Sequence, residues 1–158
     1  MKSIHKKIFT LLLISIGWSL SAQELLTIGP MLHINFGGAK RSTSFAIEAA
    51  WWNAKGLPYS VDFAMEFDHG KLRLYSEGQV GIAVTGLSLG PVLELNFKES
   101  KIRFGMQGSC WINYGLGVDY RIRYIDKKRF DCIGLYAKLP FTSSGFDSPD
   151  GNFDWDID

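Results

Sequence analysis

The chain contains eight stretches in which every second residue is apolar and none of these residues is charged. A period of two is typical of a β-strand with one apolar and one polar face. The sequence therefore predicts eight strands. Their apolar sets run over residues 26–36, 45–51, 59–67, 72–82, 87–97, 102–114, 116–124 and 133–141.

Short turn segments separate these strands. Gly37–Thr43, His69-Gly70, Lys98–Ser100 and Asp126–Lys128 form one set of connections, and those between them are equally brief. Short connections predict antiparallel hairpins. Most strands are about ten residues long, which is the length a tilted strand needs to cross a bilayer.

The ends of the chain differ from this pattern. Lys2, Lys6 and Lys7 precede an apolar run over residues 8–20 and a small-residue segment ending at Ala22, which predicts a cleaved secretory signal peptide over residues 1–22. Residues 23–141 then form one β-barrel domain, and residues 142–158 an acidic periplasmic tail. We expect this tail either to be disordered or to dock on a periplasmic partner. Its aspartates lack the ordered ligand spacing of an EF-hand calcium loop, so no metal site is predicted. No cofactor is expected either.

An internal repeat runs through the strands. Ile28–Phe36 recurs as Leu89–Phe97 at an offset of 61 residues, which favours two four-stranded halves over chance similarity. Each copy carries a Gly-Pro pair inside its strand. Because proline cannot donate to a strand ladder, we expect local bulges at Pro30 and Pro91 in a closed barrel. In a sandwich of two sheets these strands would instead be edges.

The two faces of the strands indicate which one points inward. The interior of an eight-stranded barrel is just wide enough to be filled by side chains, and the apolar sets hold too many aromatic rings to fit there. The opposite faces combine small residues with seven acids and seven bases, as a narrow lumen with paired charges requires. We therefore expect an ion-pair network in the lumen formed by Glu48, Asp62, Glu66, Arg73, Glu77, Glu94, Arg103, Asp119, Arg121 and Arg123.

Aromatic residues of the apolar faces cluster at the strand ends, whereas the strand middles hold mostly aliphatic residues. Transmembrane barrels place aromatic girdles at both membrane interfaces in this way. The predicted membrane-interface aromatics are Phe36, Trp51, Tyr59, Phe67, Phe97, Tyr114, Tyr124 and Phe141.

Over residues 24–141 the chain resembles the small eight-stranded outer-membrane β-barrels of Gram-negative bacteria. Its last strand, residues 133–141, looks like the β-signal of that group and ends in Phe141. The resemblance implies an all-β, eight-stranded, antiparallel up-and-down transmembrane barrel. It also implies contact with outer-membrane lipid and insertion by the outer-membrane assembly machinery. It implies no activity, because this fold hosts several.

Three functions follow as hypotheses. The first is a structural, non-enzymatic outer-membrane barrel with a closed, ion-paired lumen. The second is a soluble periplasmic binding protein, similar to a lipocalin, with an apolar cavity. The third is a lipid acyl hydrolase at the barrel rim, in which His33, Ser44 and Glu48 would act as base, nucleophile and orienting carboxylate. Nucleic acid is not an expected partner, because the chain has no basic patch.

Overall fold

The computed structural model describes residues 24–37, 41–53 and 57–142. The predicted signal peptide and residues 143–158 of the predicted tail lie outside the described residues. The described chain forms nine strands: β1 (Glu24–Phe36), β2 (Ser42–Asn53), β3 (Tyr59–Asp68), β4 (Lys71–Ile82), β5 (Thr85–Asn96), β6 (Lys101–Ile112), β7 (Leu116–Ile125), β8 (Lys128–Ala137) and β9 (Leu139–Thr142). Within these ranges there is no helix long and apolar enough to cross a membrane.

The sheet closes on itself. Each strand from β1 to β8 pairs antiparallel with the next, and β1 also pairs with both β8 and β9. The pairs Ile28↔Leu139 and Met31↔Tyr136 belong to one continuous register, so β8 and β9 act as a single strand interrupted at Lys138. The predicted fold class, an eight-stranded antiparallel up-and-down β-barrel, is confirmed.

The strands are strongly tilted. Cα partners can be followed once around the barrel from Leu26 through Trp51, Val61, Gly78, Leu89, Gly108, Ile122 and Asp131 to Phe36. The path returns to β1 ten residues further along, and a barrel of this kind tilts its strands by roughly 35–45°. At about 3.3 Å per residue, a tilted strand of ten to twelve residues spans about 25–30 Å along the axis.

The barrel has two distinct ends. The upper rim carries the β1–β2, β3–β4, β5–β6 and β7–β8 connections; the lower rim carries the other three and both ends of the described chain. Two of the upper hairpins are tight. Residues His69 and Gly70 have φ of 42° and 91°, and Asp126 and Lys127 have φ of 51° and 64°. Positive φ at both central positions is typical of two-residue hairpins.

The prediction of bulges at the two Gly-Pro pairs was wrong. On both sides of Pro30 and of Pro91 the register continues without an extra residue. Instead, a backbone carbonyl of the neighbouring strand lies very close to each glycine. A Cβ on Gly29 would lie 1.8 Å from the Ala137 oxygen, and one on Gly90 would lie 1.8 Å from the Ser76 oxygen. The glycine thus leaves room for a carbonyl whose ladder bond the proline cannot complete. The two sites are 61 residues apart on both strands, as the internal repeat predicts.

Burial is reversed relative to a soluble protein. Among the described residues, 29 large hydrophobic side chains are exposed, whereas the buried side chains comprise ten hydrophobic and 21 polar or charged ones. Phe63 and Leu89 are 63% and 64% exposed, while Glu66 and Arg121 are 0% and 2% exposed. The lipocalin-like alternative requires the opposite arrangement, with the apolar faces lining a cavity.

Candidate functional site

Within the part of the chain that the structure describes, the predicted ion-pair residues and the candidate catalytic residues meet in the lumen. Its described side chains form three layers between the rims. The upper layer comprises Glu66, Asp68, Arg73, Glu94, Arg103 and Arg123, the middle layer comprises Glu48, Asp62, Glu77, Asp119, Arg121 and Lys138, and the lower plug comprises Trp52, Trp111, Tyr114 and Tyr136.

Glu66 is the centre of the upper layer. Arg73 donates from Nη1 to its Oε1 over 2.6 Å, and Arg123 donates to both carboxylate oxygens, with Nη1 lying 2.9 Å from Oε1. The Ser44 hydroxyl donates to the same Oε1 over 2.7 Å. All four side chains are buried, so neither guanidinium is screened by bulk water. Two arginines therefore share one buried carboxylate.

Arg73 continues this network toward the upper rim. It donates from Nη2 to Asp68 over 2.8 Å and from Nε to Glu94 over 2.9 Å. Arg103 donates from Nη1 to Glu94 over 3.1 Å and also contacts Glu99 at the rim. Its side chain is 21% exposed, so Arg103 lies at the mouth of the lumen. Beneath the rim there is a small cavity of about 60 Å³, lined mainly by Asn35, Ser42, Asp68, Lys71, Arg73 and Arg123.

Arg121 is the centre of the middle layer. Its Nη2 lies 3.0 Å from Glu48, its Nη1 lies 3.4 Å from Glu77, and its Nε donates to Asp119. The guanidinium also lies over the ring of Tyr75, with 4.7 Å between its carbon and the ring centre. A single fully buried cation therefore joins carboxylates from β2, β4 and β7, which ties opposite walls of the barrel together.

A second cation completes the middle layer. Lys138, at the interruption between β8 and β9, pairs with Glu48 and lies 3.6 Å from Asp62. Asp62 also accepts hydrogen bonds from Ser60, over 2.6 Å, and from Gln79. Its carboxylate is therefore satisfied from three sides although it is completely buried.

The lower plug closes the lumen with aromatic rings. Trp52 and Trp111 pack edge to face with ring centres 5.6 Å apart, and Tyr114 lies 5.3 Å and 4.9 Å from them. The prediction that Tyr114 faces the membrane interface was therefore wrong. β6 ends at Ile112, and Asn113 has φ of 76°, so the period of two does not extend to residue 114 and its ring turns inward.

The candidate catalytic residues do not form a catalytic chain. His33 and Ser44 are Cα partners, but the Ser44 hydroxyl is hydrogen-bonded to Glu66 rather than to the imidazole. The His33 nitrogens lie 3.5 Å from Glu66 and 3.7 Å from Asp119, and Glu48 pairs with Lys138 and Arg121. His33 and Ser44 are both buried in the lumen, at 0% and 2% exposure.

The other predicted interface aromatics lie on the outer face. Phe36 is half-buried beneath Arg41, whose guanidinium carbon is 5.4 Å from the ring centre. The exposed ones are Trp51 and Tyr59, with Phe141, toward the lower rim, and Phe67, Phe97 and Tyr124 toward the upper rim.

Sequence reasoning missed two groups of residues. The polar connectors Asn35 and Gln107 bind Arg123, and both could have been found because they fall on the inward positions of their strands. β8 begins at Lys128, five residues before the predicted apolar set, so Arg129 and Asp131 lie on the outer face. Continuing the period of two backwards from Ile133 would have placed them there. Within the described ranges, no cluster of His, Cys, Asp and Glu could hold a metal ion.

No protein-family model matches the sequence. No curated protein matches it either. Among solved structures, the chain is similar to a designed transmembrane β-barrel (12% identity, TM-score 0.44, covering 75% of this chain and 98% of that one). It is similar to Neisserial surface protein A (14%, TM-score 0.49, 76% and 98%) and to Ail, the attachment invasion locus protein of Yersinia pestis (14%, TM-score 0.40, 76% and 99%). These are likenesses of fold. The closed register of the barrel itself agrees with the eight-stranded antiparallel barrel that the predicted resemblance implies.

Proposed function

We propose that this protein is a structural, non-enzymatic β-barrel of the outer membrane whose lumen is closed by buried ion pairs. The observation that carries the proposal is the reversed burial: an exposed apolar wall surrounds a polar, charged interior. In water, an apolar surface of this extent would drive association, whereas the hydrocarbon core of a bilayer solvates it. The closed strand order supports the same conclusion, because a membrane-spanning sheet can leave no unpaired edge.

A closed lumen accounts for the arrangement of the interior. The two ion-paired layers leave charged side chains bound to one another across the barrel, and the lower plug covers them on one side. A steady pore would require a continuous open path, and eight strands enclose a space that side chains fill. The engagement of Ser44 with Glu66 supports a structural rather than a catalytic role for the polar residues. As the resemblance implies, insertion would proceed through the outer-membrane assembly machinery.

The membrane assignment can be tested with one pair of leucine variants. Leu89 is 64% exposed near the middle of β5, and Leu57 is 59% exposed in the connection between β2 and β3. In a transmembrane barrel, Leu89→Arg costs about 2–4 kcal/mol because it places a charge near the bilayer midplane. Leu57→Arg is expected to have no measurable effect, because this residue lies beyond the strands.

The measurement is chemical unfolding of the mature protein, the chain without its predicted signal peptide, in phosphatidylcholine vesicles. Insertion is followed separately by the faster gel migration of the unheated protein. We expect the wild-type protein to insert and to show heat-modifiable migration. Of the two variants, only Leu89→Arg should lose stability. A protein that stays in the aqueous fraction, or a Leu89→Arg variant as stable as Leu57→Arg, would contradict the proposal.

A further inference from the structure

One place on the outer wall breaks its apolar character. In the upper half of the barrel, the described strand residues that face outward carry charge only at Arg129 and Asp131, at the upper end of β8. Asp131 has Ile122 and Phe36 as its Cα partners on the neighbouring strands, so its carboxylate lies on the apolar wall. A charge on a lipid-facing wall is costly and, as a rule, marks a function.

The charged pair is held in a fixed geometry. Tyr120 donates from its hydroxyl to Oδ1 of Asp131 over 2.6 Å, and Arg129 donates to the same oxygen from Nε, over 3.1 Å, and from Nη2, over 2.8 Å. The Asp131 side chain is 28% exposed and that of Arg129 is 52% exposed. Asp131 thus anchors the Nε–Nη2 edge of the guanidinium, and Nη2 also lies 3.5 Å from the Tyr120 hydroxyl. The rest of this half-exposed group is accessible from outside.

Positive charge exceeds negative charge around this pair. Lys127, Lys128 and Arg41 are also exposed, and Arg41 lies over the ring of Phe36, the Cα partner of Asp131. The other nearby acid, Asp126, is turned toward Arg103 of the lumen mouth at 3.2 Å. The surface therefore has an unbalanced positive charge at the level of the upper aromatic girdle.

Below this patch the wall is purely apolar. Ile133 and Leu135 of β8 are Cα partners of Ile34 and Leu32 of β1, and all four side chains are about half exposed. A cationic patch above an apolar strip matches the two parts of an anionic lipid, a phosphate headgroup and acyl chains. Guanidinium groups are preferred donors to phosphate oxygens, and the Arg129 side chain is half exposed on the wall.

We propose that Arg129, oriented by Asp131 and Tyr120 and assisted by Arg41, binds the negatively charged phosphate headgroup of a membrane lipid on the outer wall of the barrel. The acyl chains lie along the strip formed by Ile133, Leu135 and their partners on β1. The inference rests on the proposed membrane location and adds a ligand class and a site to it.

The experiment counts lipids retained by the detergent-purified mature protein in native mass spectrometry, with phosphatidylglycerol and phosphatidylcholine as probes. Wild type is expected to retain one phosphatidylglycerol in preference to phosphatidylcholine. Arg129→Gln and Arg41→Gln are each expected to weaken this binding about fivefold, the effect of one cation near a phosphate surface. Lys98→Gln, which removes an exposed cation on the distant β5–β6 connection, leaves it unchanged.

Asp131→Asn separates a lipid site from a merely structural ion pair. It removes the competing carboxylate but keeps an oxygen acceptor for Arg129, so lipid binding is retained. Equal affinity of wild type for the two lipids, or an equal loss in Arg129→Gln and Lys98→Gln, would overturn the proposal. So would a dimer that Arg129→Gln dissociates, because the patch would then be an interface between copies. Failure of the membrane location itself would show separately, as absence of insertion into phosphatidylcholine vesicles.

Discussion

Glu66→Gln is the substitution that most directly probes the buried network. The change keeps the shape of the side chain and removes only the charge that Arg73 and Arg123 share. Both arginine side chains are at most 6% exposed, so water cannot replace the lost partner. Breaking a buried ion pair costs about 3–5 kcal/mol, because the remaining charge stays desolvated. We expect a loss in this range, a large part of the ~5–15 kcal/mol that stabilises a folded domain.

Glu99→Gln is the matched control. Glu99 also pairs with an arginine, Arg103, but its side chain is 47% exposed at the upper rim. Exposed ion pairs contribute at most about 1 kcal/mol. The free energy of unfolding of both variants is measured by denaturant titration in phosphatidylcholine vesicles, with tryptophan fluorescence as the signal.

A double variant tests whether the energy belongs to the pair. In Glu66→Gln/Arg123→Gln the two amides can hydrogen-bond to each other, so the loss should be smaller than the sum of the two single losses. If Glu66→Gln costs no more than Glu99→Gln, the interior is hydrated and the closed, ion-paired lumen is refuted.

Three further predictions concern other parts of the barrel. Gly90→Ala should prevent stable folding, because its Cβ would lie 1.8 Å from a backbone oxygen. Gly78→Ala should fold normally, because a Cβ there would have nothing within 4 Å. Gel migration of unheated samples distinguishes the two variants, and equal folding of both would contradict the close approach at Gly90. Planar bilayers containing the wild-type protein should show no steady conductance, and a steady open level would disprove closure of the lumen. Trp111→Ala should lower the free energy of unfolding by about 3–5 kcal/mol in a denaturant titration, because it removes a ring from the lower plug. Ser44→Ala and His33→Ala should leave any lipid deacylation by the preparation unchanged, and loss of such activity in both would revive the hydrolase hypothesis.

The strand pattern contains enough information for the fold and for the orientation of the faces. The alternation of apolar and polar residues assigns each residue of a strand to one of two faces. The apolar face holds too many aromatic rings to fit inside the barrel, so it must point outward. Glu66 and Arg123 could therefore both be placed in the lumen from the sequence. That they pair with each other depends on the shift of ten residues around the barrel, which no local pattern encodes.

Each error has its own local cause. Tyr114 follows the last residue of β6, and a turn with positive φ reverses its direction. Asp131 lies outside the predicted apolar set, which begins at Ile133, although β8 itself begins at Lys128. The bulges expected at Pro30 and Pro91 are absent because Gly29 and Gly90 provide the space that the facing carbonyl needs.

If the apolar face contacts hydrocarbon and the polar face is enclosed, two neighbouring tryptophans should differ in their contact with lipid. Trp51 is 41% exposed on the outer face of β2, and Trp52 is 7% exposed in the lower plug. The measurement is fluorescence quenching by lipids brominated near the headgroup, in the mature protein and in its Trp51→Phe and Trp52→Phe variants. Because Trp111 and Trp155 remain in every sample, the difference between wild type and each variant gives the quenching of the replaced tryptophan. We expect strong quenching of Trp51 and little quenching of Trp52. Equal quenching of both, or stronger quenching of Trp52, would contradict this assignment of the two faces.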